Sequence, residues 1–418
     1  MPDYQKILSS LPELMSGDKL TRRLAILPEY DSAVRTESQT QRLMALQDLY
    51  RVYIPSAMSA EIYHKLYLAM VRSLQKKSSK MAVRQGYENH RAFLCQDYTS
   101  IMGDSDSFTI IGTSGIGKSS AISRAITLMT ENRIIEVKKP YIKILPCLTV
   151  QCPFDSSVKG MLLEILRKVD EALGSNYYTN AIRSRATTDM LIGSASQVYL
   201  NHIGLLVCDE IQHVVNSKNG KSLVGALTQL INNSGISICM VGTPEAVPFF
   251  EQAMQLARRS VGLQYGPMEY GDVFLEVSSV LFSYQYVQNQ TELTADLASW
   301  LFEHSGGVVS VVVSLIHDAQ EMAILSGREI LDRPALDEAY RKRLTLLHSY
   351  IQPAVTHKPQ TGRRKKVKER INNITASAAG EEAGHDVSVS SLAGKAKSER
   401  LDIVSLLKQY FTVEEVAV

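Results

Sequence analysis

An α/β fold built on a mainly parallel sheet follows from three features of the sequence. Short apolar runs alternate with amphipathic helical segments between about Ser107 and Val241. The first run, Phe108–Ile111, leads into a glycine-rich loop and then into helix-forming residues. A later run, Gly204–Cys208, ends in two adjacent acids, Asp209 and Glu210. Strands this short, alternating with helices, indicate crossover-connected parallel strands.

In chain order, residues 1–80 read as helical. Leu43, Leu46, Leu49 and Tyr50 recur at helical spacing, and Ile62, Leu66, Met70 and Leu74 recur every fourth residue, with Pro55 between the two sets. Lys76, Lys77 and Lys80 make a basic end to the second helix, expected to be a solvated last turn favoured by the helix dipole. Phe108–Ile111 is predicted as a strand and Lys118 to about Thr130 as a helix. Tyr141–Leu145 and Leu148–Val150 read as strands, and Ser157–Leu173 as a helix. Gly204–Cys208 is a strand, Leu223–Asn232 a helix and Ile236–Val241 a strand, followed by a helix-like segment over Ala246–Arg259. Beyond Thr291 the periodicity is helical again. Leu297, Trp300 and Leu301 belong to one helix, Val309–Leu325 forms another and Arg333–Tyr350 a third, which suggests a small helical lid. Residues 353–398 hold prolines, the run Arg363-Arg364-Lys365-Lys366, then Ser, Ala and Gly, a composition expected of a flexible linker. A last amphipathic helix places Leu401, Val404, Leu407 and Phe411 on one face, the form of a docking peptide. The expected division is therefore 1–100, helical; 101–285, the α/β core; 286–352, the lid; and 353–418, linker and docking helix.

The chain has 418 residues, enough for more than one core. A net charge of +2 excludes a general polycation, so any nucleic-acid contact must be a local patch. Cys95, Cys147, Cys152, Cys208 and Cys239 form no CxxC pair, which argues against a zinc site, and Cys208 and Cys239 lie in apolar runs as small buried residues. A reducing cytoplasm is the expected compartment. The N-terminus lacks the long apolar stretch of a secretory signal. Gly306–Ile316 is far short of the roughly 20 residues that span a bilayer, so no membrane contact is expected.

The loop Gly112-Thr-Ser-Gly-Ile-Gly-Lys-Ser119 fits G-x-x-x-x-G-K-[ST] at every fixed position. Glycines let the backbone turn its N–H groups inward onto phosphate oxygens. Lys118 brings a charge to the β and γ phosphates. The Ser119 hydroxyl completes an oxygen shell around Mg²⁺, and the following helix presents its positive N-terminus to the anion. The residues expected to hold ATP run through Gly112, Thr113, Ser114, Gly115, Ile116, Gly117, Lys118, Ser119 and Ser120. Asp209 and Glu210 stand at the carboxyl end of a buried strand, where ligands bind in such sheets. Asp209 would hold the metal, and Glu210 would orient and deprotonate the attacking water. Thr243 ends the next strand and is placed to touch the γ-phosphate or the water; the alternative is a simple Gly-Thr turn. Arg258 and Arg259 are either a solvated helix end or an arginine supplied to a neighbouring subunit's phosphates.

The order of this loop, Cys152-Pro153 with a following Asp-Ser-Ser, Cys208–His213 (CDEIQH), Asn232–Ala246 (NNSGISICMVGTPEA) and Gln255–Gly262 (QLARRSVG) resembles the TnsC/TniB family of transposon-encoded AAA+ ATPases. Gln85-Gly86-Tyr87, Phe282-Ser-Tyr-Gln285-Tyr, His304-Ser-Gly-Gly307 and Ala319-Gln320-Glu-Met-Ala323-Ile324 are similar as well, so the resemblance covers about residues 40–350. It implies a P-loop AAA+ core with a helical N-terminal segment and a small helical lid. It also implies ATP between subunits, assembly on double-stranded DNA as a ring or helical filament, and a link from a target-selector protein, sometimes a CRISPR-guided complex, to the transposase. On this resemblance Gly112–Ser119 bind ATP, Asp209 and Glu210 serve Mg²⁺ and hydrolysis, Thr243 is the sensor, and Arg258 or Arg259 acts across the subunit interface. The pattern departs from many AAA+ relatives at Gly306-Gly-Val-Val-Ser, where no arginine opens the lid helix.

Lys138 and Lys139 are candidate DNA contacts, against a solvated-loop alternative. Arg363–Lys368 is a nucleic-acid arm, a chance signal or a solvated linker. The terminal helix is a candidate transposase contact. Two other readings share the phosphate motifs: an origin-recognition or helicase-loader AAA+ protein, and a nucleotide-switch signalling or defence NTPase.

Overall fold

The structure, a computed structural model, describes residues 4–77, 80–93, 107–138, 141–247 and 262–344. Arg258, Arg259, Lys139 and residues 353–418 lie outside them.

Six strands form one sheet: β1 (Phe108–Gly112), β2 (Ile135–Lys138), β3 (Tyr141–Gln151), β4 (Ile203–Asp209), β5 (Ser237–Gly242) and β6 (Leu263–Tyr265), in the order β2-β3-β4-β5-β1-β6. All neighbours run parallel except β2 with β3. The carboxyl ends of β1, β5 and β4 therefore lie side by side. The N-terminal region supplies α1 (Tyr4–Ser9), α2 (Gly17–Leu24), α3 (Gln39–Ala45), α4 (Ala57–Lys77) and α5 (Lys80–Phe93). The core adds α6 (Lys118–Thr130), α7 (Val158–Leu173), α8 (Tyr177–Arg183), α9 (Thr188–His202), α10 (His213–Asn216) and α11 (Gly220–Ser234). After the sheet come α12 (Asp272–Ser283), α13 (Ala295–Ser305), α14 (Val309–Leu325) and α15 (Arg333–Arg343).

Both faces of the sheet are covered, which explains why its strands read as unbroken apolar runs. Leu205, Val207, Cys239, Val241, Phe108 and Ile110 point to the side that α4 and α6 cover. Leu206, Cys208, Ile238 and Met240 alternate with them and face α7, α9 and α11. The four-residue repeat Ile62, Leu66, Met70, Leu74 is buried along its length, as helical spacing predicts. Helix ends follow their local chemistry: the Ser157 and Thr294 side chains accept from Gly160 and Leu297 N–H groups, and Gly174, Gly235 and Gly306 close helices in the left-handed region.

Several expectations change. The two segments expected around Pro146 are one strand, β3. β2 ends opposite Ile144, so Pro146 lies where β3 has only β4 beside it, and the missing N–H leaves no partner stranded. A Cβ on Gly204 would sit 2.3 Å from the Pro146 carbonyl oxygen, so only glycine fits there. The Leu43–Tyr50 repeat is not one helix: α3 passes into a 3₁₀ turn over Leu46–Arg51. β2, α9 and α12 lie in stretches for which the sequence gives no expected element. The basic end of α4 is not a solvated turn at Lys77. Its amino group donates to the carbonyls of Tyr199 and Ile203, where α9 gives way to β4, and burial pushes its pKa down to about 7.

The N-terminal region serves two cores. Ile7, Leu20, Leu24 and α4 pack against the sheet. Leu46 and Leu49 instead enter the cluster of Phe274, Trp300, Leu315 and Leu336 from α12–α15. Arg42, 3% exposed, fastens this second contact. It donates to both oxygens of Glu329, at 2.5 and 2.7 Å, and to the carbonyls of Tyr286 and Glu37. Among the described residues no single helix is long and apolar enough to cross a membrane.

The Arg42 hydrogen bond holds the Glu329 carboxyl below its ordinary range, against the opposing effect of burial. Its contribution to stability is therefore full above the ordinary glutamate value of about 4.3 and is lost as pH falls through the lower folded value. Arg42→Met is expected to cost about 1.5–3 kcal/mol, the worth of hydrogen bonds to a charged group, and leaves the half-buried Glu329 carboxylate with the Gln288 N–H. Urea unfolding at pH 7 measures the loss, and the difference from wild type should shrink below about pH 4.

Candidate nucleotide site

The loop at Gly112–Ser119 takes its shape from close backbone contacts. A Cβ on Gly112 would lie 2.8 Å from the Tyr265 carbonyl oxygen on β6. Gly115 has φ +82 and its Cβ would lie 2.3 Å from Ser310 Oγ, so both conformation and space require glycine. Gly117, at φ +92, precedes the first turn of α6. The loop N–H groups and the N-terminus of α6 thus line one concavity, the arrangement that binds phosphate oxygens.

Lys118 is folded back into this concavity. Its Nζ donates to the carbonyls of Gly112 at 2.5 Å and Thr113 at 2.7 Å. Burial lowers its pKa, opposed by the charges of Asp209 and Glu210. Those acids come from the end of β4, two strands from β1 in the sheet, with β5 between. Ser119 Oγ donates to Asp209 Oδ2 at 3.3 Å, and the other Asp209 oxygen accepts from the Glu210 N–H at 2.8 Å. Glu210 has φ +59, a left-handed backbone that a non-glycine residue rarely adopts. Its carboxylate accepts from Gln212 Nε2. Thr243 follows β5, and its Oγ1 is buried without a partner.

These groups line one cavity of ≈ 270 Å³: Ser114, Gly115, Gly117, Lys118, Ser119, Ser120, Asp209, Glu210, Gln212, Gly242, Thr243 and Ser310. A second cavity of ≈ 240 Å³ shares Gly115, Gly117, Ser120 and Ser310 with it. Its other walls are mostly apolar and include Tyr53, Ile54, Met268, Leu281, Val309 and Val313, together with Ile116. One cavity is polar and charged, the other mostly apolar, and the loop is their common wall. That pairing suits a phosphate chain joined to a planar base.

The structure thus brings the sequence-read residues of the loop together with Asp209, Glu210 and Thr243. It does not bring Lys138 there. Lys138 ends β2, at the opposite edge of the sheet, with β3, β4 and β5 between it and β1. Three contributors were not singled out from the sequence. Gln212 lies two residues past a recognised acid. Ser310 arrives through Gly306 and Gly307, both left-handed, and its N–H donates to the Gly115 carbonyl at 3.1 Å. That serine stands where the lid approaches the loop without an arginine. The wall from Tyr53 to Met268 is assembled from distant segments and has no local signal.

Residues 99–265 match the family model described as Bacterial TniB protein. No curated protein sequence matches the chain. Among solved structures, the chain is similar to the Aeropyrum pernix ORC1 protein in complex with DNA, at 15% identity and a TM-score of 0.42, covering 79% of this chain and 82% of that one. It is similar to the ADP form of the Aeropyrum pernix ORC2 protein at 14% identity and a TM-score of 0.40, over 79% and 84%. Domain III of the Thermotoga maritima replication initiation protein DnaA matches at 14% identity and a TM-score of 0.34, over 66% and 94%.

Lys118→Met removes the one cation that lines the phosphate concavity among the described residues. Hydrogen bonds to charged groups contribute about 1.5–3 kcal/mol, so affinity for a nucleoside triphosphate is expected to fall roughly 10- to 150-fold. Isothermal titration calorimetry reads this directly, and an unchanged Kd would remove Lys118 from the site.

Proposed function

We propose that this TniB-type chain is an ATP hydrolase that assembles on double-stranded DNA and couples target-site selection to a transposase in the bacterial cytoplasm. The observation that carries the reading is the meeting of the P-loop, Asp209-Glu210 and Thr243 at neighbouring strand ends, inside the segment that matches the TniB model.

In this reading Gly112–Ser120 cradle the phosphates of ATP and Lys118 leaves the loop carbonyls for the β and γ oxygens. The base enters the apolar cavity beside Tyr53 and Met268. The residues present fit a hard cation: Ser119 Oγ and Asp209 Oδ2 are oxygen donors 3.3 Å apart. Among the described residues no group of three or more His, Cys, Asp or Glu could hold a metal unaided, so Mg²⁺ would share phosphate and water oxygens. When bound, the ion offsets charge on the phosphates. Glu210 takes the proton of the attacking water, and Thr243 holds the water or a γ oxygen with its unpartnered hydroxyl.

The same reading assigns Arg258 or Arg259 to the phosphates of a neighbouring copy, which makes the site complete only in a ring or filament. Lys138 and Lys139 are proposed to touch the DNA backbone. The N-terminal region would meet a target selector, which in some systems is a CRISPR-guided complex, and residues 353–418 would carry the docking helix to the transposase.

Negative-stain microscopy of the full chain with a DNA duplex and a non-hydrolysable ATP analogue tests the central claim. Rings or filaments that need both are expected; particles indifferent to DNA would favour a nucleotide switch instead. Glu210→Gln should keep ATP binding and lengthen the life of the DNA-bound assembly in ATP several-fold. An assembly that decays at the wild-type rate would take Glu210 out of its role.

A further inference from the structure

Glu210 sits in a left-handed backbone conformation just after β4, in a turn closed by the His213 N–H on its carbonyl. Gln212, two residues on, reaches back and donates from Nε2 to Glu210 Oε2. The orientation of that amide follows from chemistry. A carboxylate only accepts, so the amide must present its NH₂ to it and turn its oxygen away. Gln212 Oε1 then faces β5 and is buried without a partner. It rests against Gly242, where a Cβ would lie 3.0 Å from Oε1 and 2.8 Å from Ile211 Cγ2. An unsatisfied buried amide oxygen costs free energy, and a site that keeps one usually has a use for the geometry it holds.

We infer that Gln212 is the positioning residue for Glu210. Its amide fixes one carboxylate oxygen and leaves the other free toward the cavity that holds Lys118, Ser119 and Thr243. The inference rests on that cavity being an ATP hydrolysis site. In that reaction a water oxygen forms a bond to the γ-phosphorus as the bond to the β–γ bridging oxygen breaks. The electron pair of the broken bond leaves on ADP. One water proton passes to the Glu210 carboxylate and then to solvent, and the other stays on inorganic phosphate. Gln212 touches neither water nor phosphate. It holds the oxygen that takes the proton, and a misplacement of about 1 Å in such a group can cost up to about 100-fold in rate.

The test uses the full chain with Mg²⁺, ATP and a DNA duplex, and measures kcat and KM for phosphate release with the Kd for a fluorescent ATP analogue. Gln212→Ala is expected to lower kcat about 10- to 100-fold while Kd stays within about twofold. Gly242→Ala, which pushes on the Gln212 oxygen while leaving the amide in place, should lower kcat without weakening ATP binding. If wild type hydrolyses ATP and Glu210→Gln does not, an unchanged kcat in Gln212→Ala overturns this inference alone. So does a fall in kcat that only follows a loss of ATP binding. A wild-type chain that binds ATP and never hydrolyses it overturns the reading of the site on which the inference rests.

Discussion

A single backbone contact holds the nucleotide site together. The Gly115 carbonyl accepts from the Ser310 N–H at 3.1 Å, and the approach is close enough that any side chain at residue 115 would collide with Ser310. On one side of this contact lies the polar cavity with Lys118, Asp209 and Glu210. On the other lies the apolar cavity under Met268 and Val313. The sheet supplies the first wall and the lid supplies the second, so the loop is shaped by both at once. A lid that moved would change the phosphate concavity and the base cavity together. A ligand held in either cavity would thus be coupled to the position of the lid.

The lid is in turn held from the far end of the chain. Arg42 ties α3 to Glu329, and Leu46 and Leu49 fill the lid's own core. α4, a few residues later, lies on the sheet beside α6. The segment between Arg42 and α4 therefore bridges the two bodies that flank the nucleotide, and its Tyr53 and Ile54 line the apolar cavity. Gln212 plays a comparable part on a smaller scale, joining the Glu210 carboxylate to the end of β5 through its contact with Gly242.

Most of the sheet was legible because its signals are local. β1, β4 and β5 are apolar runs of fixed length ending in Gly112, Asp209 and Gly242, and α6 begins at the residue the P-loop spacing predicts. The misses share a physical cause: their determinants lie elsewhere in the chain. Lys77 reads as a solvated helix end until α9 and β4 bring two carbonyls to its amine. Pro146 reads as a strand break until Gly204 makes room beside it. β2 is short and is defined by its antiparallel partner, and the base cavity exists only once α12, α14 and the Tyr53 segment have met. The acids and the P-loop could be read as one site because each stands at a strand end; Gln212 and Ser310 could not, because a glutamine and a serine carry no signature outside their surroundings.

The Arg42–Glu329 pair also bears on synthesis. Its members are 287 residues apart in the chain. At about 5–20 residues per second, Arg42, Leu46 and Leu49 emerge from the ribosome roughly 15–60 s before the segment that receives them. During that interval α4 has the sheet to fold onto as soon as the core appears, while the preceding stretch has no partner. The nascent chain thus carries a greasy, positively charged tether that must be kept from other surfaces until its last described helices are made.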